Sequence, residues 1–207
     1  RTRHHQPQQR HPVRKALCTY DSPVGKLTLA SDGPHLCGLW LEGQKYFEEK
    51  LHLRVTGSEG DAAGKAVEGE AAVSASPALR AAVAWLDAYF EGRDPGELPP
   101  IELHGTPFQE RVWAQIAKIP YGQVITYGGI AKALADERDD GGMVSARAVG
   151  TAVGRNPCSI IVPCHRVVGS TGSLTGYSGG IARKVKLLEF EGVDTRKFKA
   201  PTRGTAL

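Results

Sequence analysis

A chain of 207 residues that is 41% apolar and 23% charged has the balance of a soluble globular protein and the length for one large core or two small ones. It contains no run of about 18 apolar residues, its basic N-terminus lacks the apolar stretch of a secretory signal, and four cysteines are too few for a disulfide framework. A membrane span and a disulfide scaffold are therefore excluded, and a reducing, cytoplasmic compartment is the expectation. The net charge of +4 is unevenly spread: residues 1–15 carry +5, residues 16–105 −7, residues 106–192 +3 and residues 193–207 +3. An acidic front and a basic back half fit a polyanion meeting the back half, with chance surface charge as the alternative.

Residues 1–15, "RTRHHQPQQRHPVRK", have little to bury and read as a disordered basic tail. "ALCTY", "GKLTLAS" after the turn signal "DSPVG", and "LCGLWL" after "SDGPH" read as strands of a small antiparallel sheet. Residues 56–76, rich in Gly, Ala, Ser and acid, read as a flexible surface segment. "SPALRAAVAWLDAYFEG" spaces Leu79, Val83, Leu86 and Phe90 for an amphipathic helix. That closes an N-terminal α/β domain over 16–92, and the Pro- and Gly-rich stretch 93–105 reads as a linker.

A mostly helical second domain is expected over 106–192. Thr106 as N-cap, Pro107 at the first helical position and Gln109 three residues after the cap announce a helix, with Phe108, Val112, Ile116 and Ile119 on one face. "YGQVITYGGIAKALA" gives a turn and a short helix, and "SARAVGTAVGRN" gives another. The pair suggests a helix-turn-helix, although many such hairpins bind nothing. Ser159 to Val162 read as a buried strand running into Pro163, Cys164 and His165. "GSTGSLTGYSGG" is a loop, "GIARKVKLLEFEG" a last helix with Ile181, Val185 and Leu188 on one face, and residues 193–207 a loose basic tail. The fold class is thus α/β (α+β): a sheet-and-helix domain, then a helical domain with the cysteine.

The chemistry gathers at "NPCSIIVPCHRVVG". A thiolate is a nucleophile, and an ordinary cysteine, with a pKa of about 8.5, needs something to hold the charge. His165, Arg166 and a helix N-terminus are candidates. Adjacent strand residues point to opposite faces, so a direct Cys164–His165 hydrogen bond requires a turn or a bridging water. A buried, inert cysteine is the plain alternative. Metal ligation by Cys158, Cys164 and His165 is a weaker one, because the spacing matches no standard zinc pattern.

"IVPCHRVVGSTGSLTGYSGGIARKVKLLEFEG" closely resembles the core of the alkylguanine-DNA alkyltransferases. The frame agrees too: "YGQVITYGGIAKAL" and "ARAVGTAVGRNP" before the Cys-His pair, "GYSGG" and "EG" after it, and "DSPVGKLTLASD" and "WLDAYFEG" in the front half, so that the resemblance runs from Tyr20 to Gly192.

The resemblance implies repair of O6-alkylguanine, and less well of O4-alkylthymine, in double-stranded DNA. The alkyl group passes once and irreversibly to Cys164, with no cofactor. It implies a chain of cysteine, water, His165 and Glu191 that activates the thiol, and Asn156 holding the active-site turn. Tyr177 would donate to a guanine ring nitrogen, Ser178 would stand near the exocyclic oxygen, and backbone groups of Cys164 and Val167 would read the base's amino group. Arg147 would fill the gap left by the rotated base, Tyr127 would crowd its phosphate, and Thr126 and Ser170 would be further substrate or DNA contacts. A monomer, in the cytoplasm or the nucleus of a eukaryote, is expected.

Two points depart from the family pattern. "DERDDGGMV", residues 136–144, is longer than the family's tight turn and acidic. Cys18, Cys37, His35 and His104 do not reproduce the zinc site of some eukaryotic members, so no metal is expected. The competing readings are a Cys-His hydrolase, a non-catalytic binder of alkylated DNA and a damage-responsive regulator.

Overall fold

The computed structural model describes residues 15–44 and 67–201. Residues 1–14 of the tail expected over 1–15, residues 56–66 of the expected flexible segment and residues 202–207 lie outside these described residues.

The chain opens with β1 (Ala16–Ser22), β2 (Gly25–Ser31) and β3 (Leu36–Leu41), antiparallel in succession. The first turn is closed by Ser22, whose hydroxyl donates to the Gly25 carbonyl at 2.6 Å and accepts from the Val24 amide at 3.2 Å. Gly25 adopts φ +111°, a conformation that side chains avoid. The second turn is closed by the Asp32 carboxylate, which accepts from the His35 amide at 2.8 Å. A short β4 (Val67–Glu68) pairs parallel to β1, giving the sheet order β3-β2-β1-β4.

β4 leads into α1 (Gly69–Ala75), so residues 67–75 are regular structure and not the flexible segment expected from their Gly, Ala and Ser content. The physical reason is local burial: Ala72 is fully buried in the common core, and Ala is a strong helix former. α2 (Pro77–Phe90) follows, with Ser76 as N-cap accepting from the Leu79 amide at 3.1 Å. Leu79 and Leu86 are buried as expected, whereas Val83 and Phe90 are only half-buried. Ala78, Ala82, Trp85 and Tyr89 complete the buried face.

Every residue of β3 is buried, and its free edge explains why. Leu36 donates to the Pro100 carbonyl and accepts from the Glu102 amide, Leu39 donates to the Pro157 carbonyl, and Ser159 donates back to Leu39. The strand is covered on its edge as well as its faces, so it reads as one apolar run and not as an alternating pattern.

In the second half α3 (Pro107–Ala117) carries the full capping box of Thr106 and Gln109, with Val112 and Ile116 fully buried. β5 (Ile125–Thr126) pairs parallel with β6 (Val167–Val168). Between them lie α4 (Tyr127–Asp136) and α5 (Ala146–Gly154), which pack on each other and on α3, where the Trp113 indole donates to the Ala152 carbonyl at 2.9 Å. α6 is Ile181–Phe190. Its buried face is centred on Lys184, Leu187 and Leu188, about a residue's rotation from the expected Ile181, Val185 and Leu188 face. One hydrophobic core runs from Ala16 in β1 to Leu187 in α6.

Two further expectations are corrected. Ser159 to Val162 form a tight turn and not a strand: the Ile161 amide reaches the Ser159 carbonyl at 2.8 Å and the Val162 amide reaches Cys158 at 3.0 Å. Ile160 sits there at φ +69°, the one non-glycine residue with positive φ among the described residues. For a β-branched side chain that is a strained conformation, costing on the order of 1–3 kcal/mol. Residues 193–201 are also not loose. Val193 and Phe198 pack with Val168, Leu174 and Leu188, and Lys199 exchanges backbone hydrogen bonds with Gly172 and Leu174. Apolar Val193 and Phe198 anchor the segment despite its basic composition.

Candidate active site

The site begins with a turn. Asn156 lies just past α5, and its amide nitrogen donates to the carbonyls of Val162 at 2.8 Å and Cys158 at 3.3 Å while its oxygen accepts from the Cys158 amide at 3.0 Å. These three bonds from a buried side chain pin the turn that carries strained Ile160 and ends at Pro163. Cys164, His165 and Arg166 then form a single 3-10 turn. In that geometry successive side chains diverge by about 120° and not 180°, which resolves how neighbours can serve one site. Cys164 and His165 are buried, at 3% and 0% exposure.

His165 and Arg166 converge on Glu191, at the C-terminal end of α6. The imidazole Nε2 lies 2.6 Å from Glu191 Oε1, and the Arg166 guanidinium donates to both carboxylate oxygens, at 2.8 and 2.9 Å. The Tyr89 hydroxyl donates to Oε1 at 2.8 Å and the Gly122 amide to Oε2 at 3.1 Å. Arg166 is held from behind by the Ile119 carbonyl at 2.6 Å. Burial pushes the Glu191 carboxyl up, but His165 and then Arg166 more than offset this and bring it down to about 2. Burial also pushes the His165 imidazole down, with Glu191 offsetting only part, so the pair is a neutral imidazole on an ionised carboxylate. The ionised oxygen can only accept, so Nε2 carries the proton and Nδ1 presents a lone pair. Nδ1 is buried and has no protein hydrogen-bond partner among the described residues.

Two phenols and an ammonium flank Cys164. Burial, and next the charge of a Cys164 thiolate, push both the Tyr127 and Tyr177 hydroxyls well above the ordinary tyrosine range. Tyr127 donates to the Thr175 carbonyl at 2.6 Å, whereas the buried Tyr177 hydroxyl, like His165 Nδ1, has no protein partner. Lys184 is fully buried, its Nζ donating to the carbonyls of Val167 at 2.5 Å and Thr175 at 3.1 Å. Burial lowers it to about 8, a Cys164 thiolate opposing that fall. Two other thiols are held protonated by burial, which raises Cys18 to about 11 and Cys158 further still.

Cys164, His165, Glu191, Asn156, Tyr177 and Tyr127 therefore come together. Thr126 is the N-cap of α4, accepting from the Gly129 amide at 2.9 Å. Val167 meets the cluster through its carbonyl on Lys184. Ser178 is half-buried in the loop before α6, while Ser170 and Arg147 are exposed and stand outside the hydrogen-bonded cluster.

Sequence reasoning did not assign Tyr89 or Lys184, and it offered Arg166 as a partner for the thiol when its partner is Glu191. Lys184 had a legible signal: it stands three residues after Ile181 and four before Leu188, on the helix's apolar side. Among the described residues, the one grouping of His, Cys and acids close enough for a metal ion is Asp32, His35 and Glu102, at the β2–β3 turn and without a cysteine.

A two-domain α/β protein with a buried Cys-His-Glu centre behind a pair of packed helices is the class that these features define. Residues 17–103 match the family described as "6-O-methylguanine DNA methyltransferase, ribonuclease-like domain", and residues 107–193 its "DNA binding domain". The methylated-DNA–protein-cysteine methyltransferase of Mycobacterium tuberculosis is 43% identical over 183 residues, covering 88% of this chain and 93% of that one. The one from Methanosarcina acetivorans is 38% identical over 176 residues, covering 84% and 96%. In structure, Mycobacterium tuberculosis OGT in complex with DNA superposes with a TM-score of 0.64 at 38% identity, covering 90% of this chain and 96% of that chain. The chain belongs to the 6-O-methylguanine DNA methyltransferase family.

Proposed function

We propose that this protein repairs O6-alkylated guanine in duplex DNA by moving the alkyl group onto Cys164, once per molecule. The observation that carries this reading is the buried contact of His165 Nε2 with Glu191 Oε1, 2.6 Å apart, from which the tautomer follows. Glu191 holds the proton on Nε2, and the lone pair of Nδ1 is left buried without a protein partner among the described residues, on the residue that follows Cys164 in the same turn. The thiol proton passes through a water to Nδ1. The thiolate attacks the alkyl carbon, a carbon–sulfur bond forms, and the carbon–oxygen bond to guanine breaks with its electron pair staying on the base. The charge left on the base is met by a hydrogen bond from the Tyr177 hydroxyl, which has no protein acceptor among the described residues, and the base takes up the proton that His165 received from the thiol. The resulting thioether has no base or water step to reverse it, so each molecule acts once.

The target atom lies inside the double helix, so the base must be extruded, at a cost of a few kcal/mol. The α4–α5 pair serves as a helix-turn-helix docked in the minor groove, with Arg147 filling the gap in the stack and Tyr127 crowding the turned phosphate. Val167, Ser178, Thr126 and Ser170 complete the contacts to base and backbone.

The test is the intact mass of the protein before and after incubation with methylated duplex DNA in excess. The expected result is the gain of one methyl group and no more, mapped to the peptide carrying Cys164 and absent in Cys164→Ser, which still binds DNA. Continued release of product beyond one equivalent points to a hydrolase, and a methyl group on Cys158 overturns the assignment of the acceptor.

A further inference from the structure

Met143 is the sole methionine of the sequence and is 93% exposed, far more than Leu98 at 38%, the other exposed large apolar side chain among the described residues. A single exposed apolar residue is ordinary in itself. Its setting is not. Met143 stands two residues before Ser145, the N-cap of α5, and four before Arg147 in that helix's first turn. On the α5 side the surface beside it is small and uncharged apart from Arg147: Ala146, Ala148 and Thr151 are all exposed.

The backbone on both sides of Met143 is tied down. Val144 packs against the main core. Gly142 donates its amide to Asp140 at 2.9 Å, and Asp140 is gripped by both Nε and Nη2 of Arg138, at 2.8 and 2.6 Å. Two of the four acids of residues 136–142 are turned to the neighbouring helices. Glu137 meets Arg111 and Gln115 of α3, and Asp136 pairs with Lys132 of α4 at 2.6 Å. The segment thus directs two of its acids to α3 and α4 and closes a third, Asp140, on Arg138, and Met143 follows with its thioether exposed four residues before Arg147.

We propose that Met143 is a second DNA-contacting side chain, whose thioether packs on the deoxyribose walls of the minor groove beside Arg147. Apolar side chains inserted beside basic ones are a recurring device of minor-groove binding. A flexible, polarizable methionine suits an irregular sugar surface. This inference rests on the DNA-repair reading above and adds to it a groove contact that depends on apolar burial and not on charge.

The experiment uses the full chain and an undamaged duplex, with Met143→Ser and Met143→Leu. Burying part of one thioether predicts a loss of duplex affinity of about fivefold for Met143→Ser. The dependence of affinity on salt should keep its slope, because no phosphate contact is lost, and Met143→Leu should stay within about twofold of the parent. With a ¹³C-labelled methionine methyl, the resonance that Met143→Leu removes should shift on saturation with duplex and show contacts to sugar protons. Reaction of Cys164 with free benzylguanine should be unchanged in both variants. An unmoved methyl resonance, unaltered affinity in Met143→Ser, or a changed salt slope overturns the proposal. If the parent protein itself neither binds duplex nor accepts a methyl group, the repair reading fails. A competent parent with an indifferent Met143→Ser rejects only the contact.

Discussion

Glu191→Gln tests the centre of the site. The carboxylate accepts five hydrogen bonds, from His165, twice from Arg166, from Tyr89 and from Gly122. Its surroundings hold it down from the ordinary 4.5 to about 2, which at 1.36 kcal/mol per pH unit is about 3 kcal/mol in favour of the ionised form. An independent route gives the same scale: breaking a buried ion pair by removing one partner costs about 3–5 kcal/mol, because Arg166 is then buried without its counter-charge. Glutamine keeps the shape, but its amide nitrogen turns a donor toward donors. With a urea slope of about 2 kcal/mol per M, the unfolding midpoint should fall by about 1.5 M at unchanged slope. The rate of alkyl transfer to Cys164 from free benzylguanine should fall as well, since the His165 tautomer is no longer fixed. The double variant Arg166→Met, Glu191→Met removes both charges and should recover at least half of the lost stability while leaving transfer impaired. A cost below about 1 kcal/mol for Glu191→Gln, or a double variant less stable than the single one, would refute the view of Glu191 as a charge whose worth lies in pairing.

The remaining expectations are simpler. Arg147→Ala should slow repair in duplex DNA far more than reaction with free benzylguanine, because its proposed task is extrusion; equal losses on both substrates would sink that assignment. Asn156→Ala removes three hydrogen bonds from a turn holding strained Ile160, so a loss of about 2–4 kcal/mol is expected by thermal unfolding. Acid should weaken the fold in two stages. His165 is pushed below its ordinary 6.5, so the stability that depends on its neutral form is lost as pH falls from 6.5 through its folded value. Glu191 is pushed below 4.5, so its contribution is full above 4.5 and is lost as pH falls toward 2. Urea midpoints across this range should decline on acidification and decline less in Glu191→Gln. Shortening residues 136–140, of whose four acids Asp136 pairs with α4 and Glu137 with α3, should leave duplex affinity level or slightly raised, and a tenfold loss, about 1.4 kcal/mol, would show the loop to be part of the binding surface.

What could be read from the sequence was what is encoded locally. Thr106, Pro107 and Gln109 announce a helix start because each acts within one turn, and the structure has that capping box. The strands of the front sheet follow from short runs bounded by turn signals, and the helix over Pro77–Phe90 from its apolar period. What failed depended on distant partners. Ser159 to Val162 look like a strand because the run is largely apolar and β-branched, yet the side-chain bonds of Asn156 and the backbone bonds of Leu39 hold that segment in a turn, with Ile160 in a left-handed conformation. Residues 193–199 look loose because they are basic, yet two apolar side chains and a backbone pairing with the loop at Gly172 hold them. The site divides along the same line. A cysteine, a histidine and an asparagine within nine residues are visible as a cluster, and a resemblance supplied Glu191. Tyr89 belongs to the front domain and reaches Glu191 from 102 positions away, through a helix whose apolar period gives no reason to prefer its hydroxyl over the ring of Phe90. The front domain therefore contributes to the site and not only to the scaffold: with Tyr89 on Glu191 and the β3 edge bonded to Pro157 and Ser159, it holds both the Glu191 carboxylate and the turn that precedes Cys164.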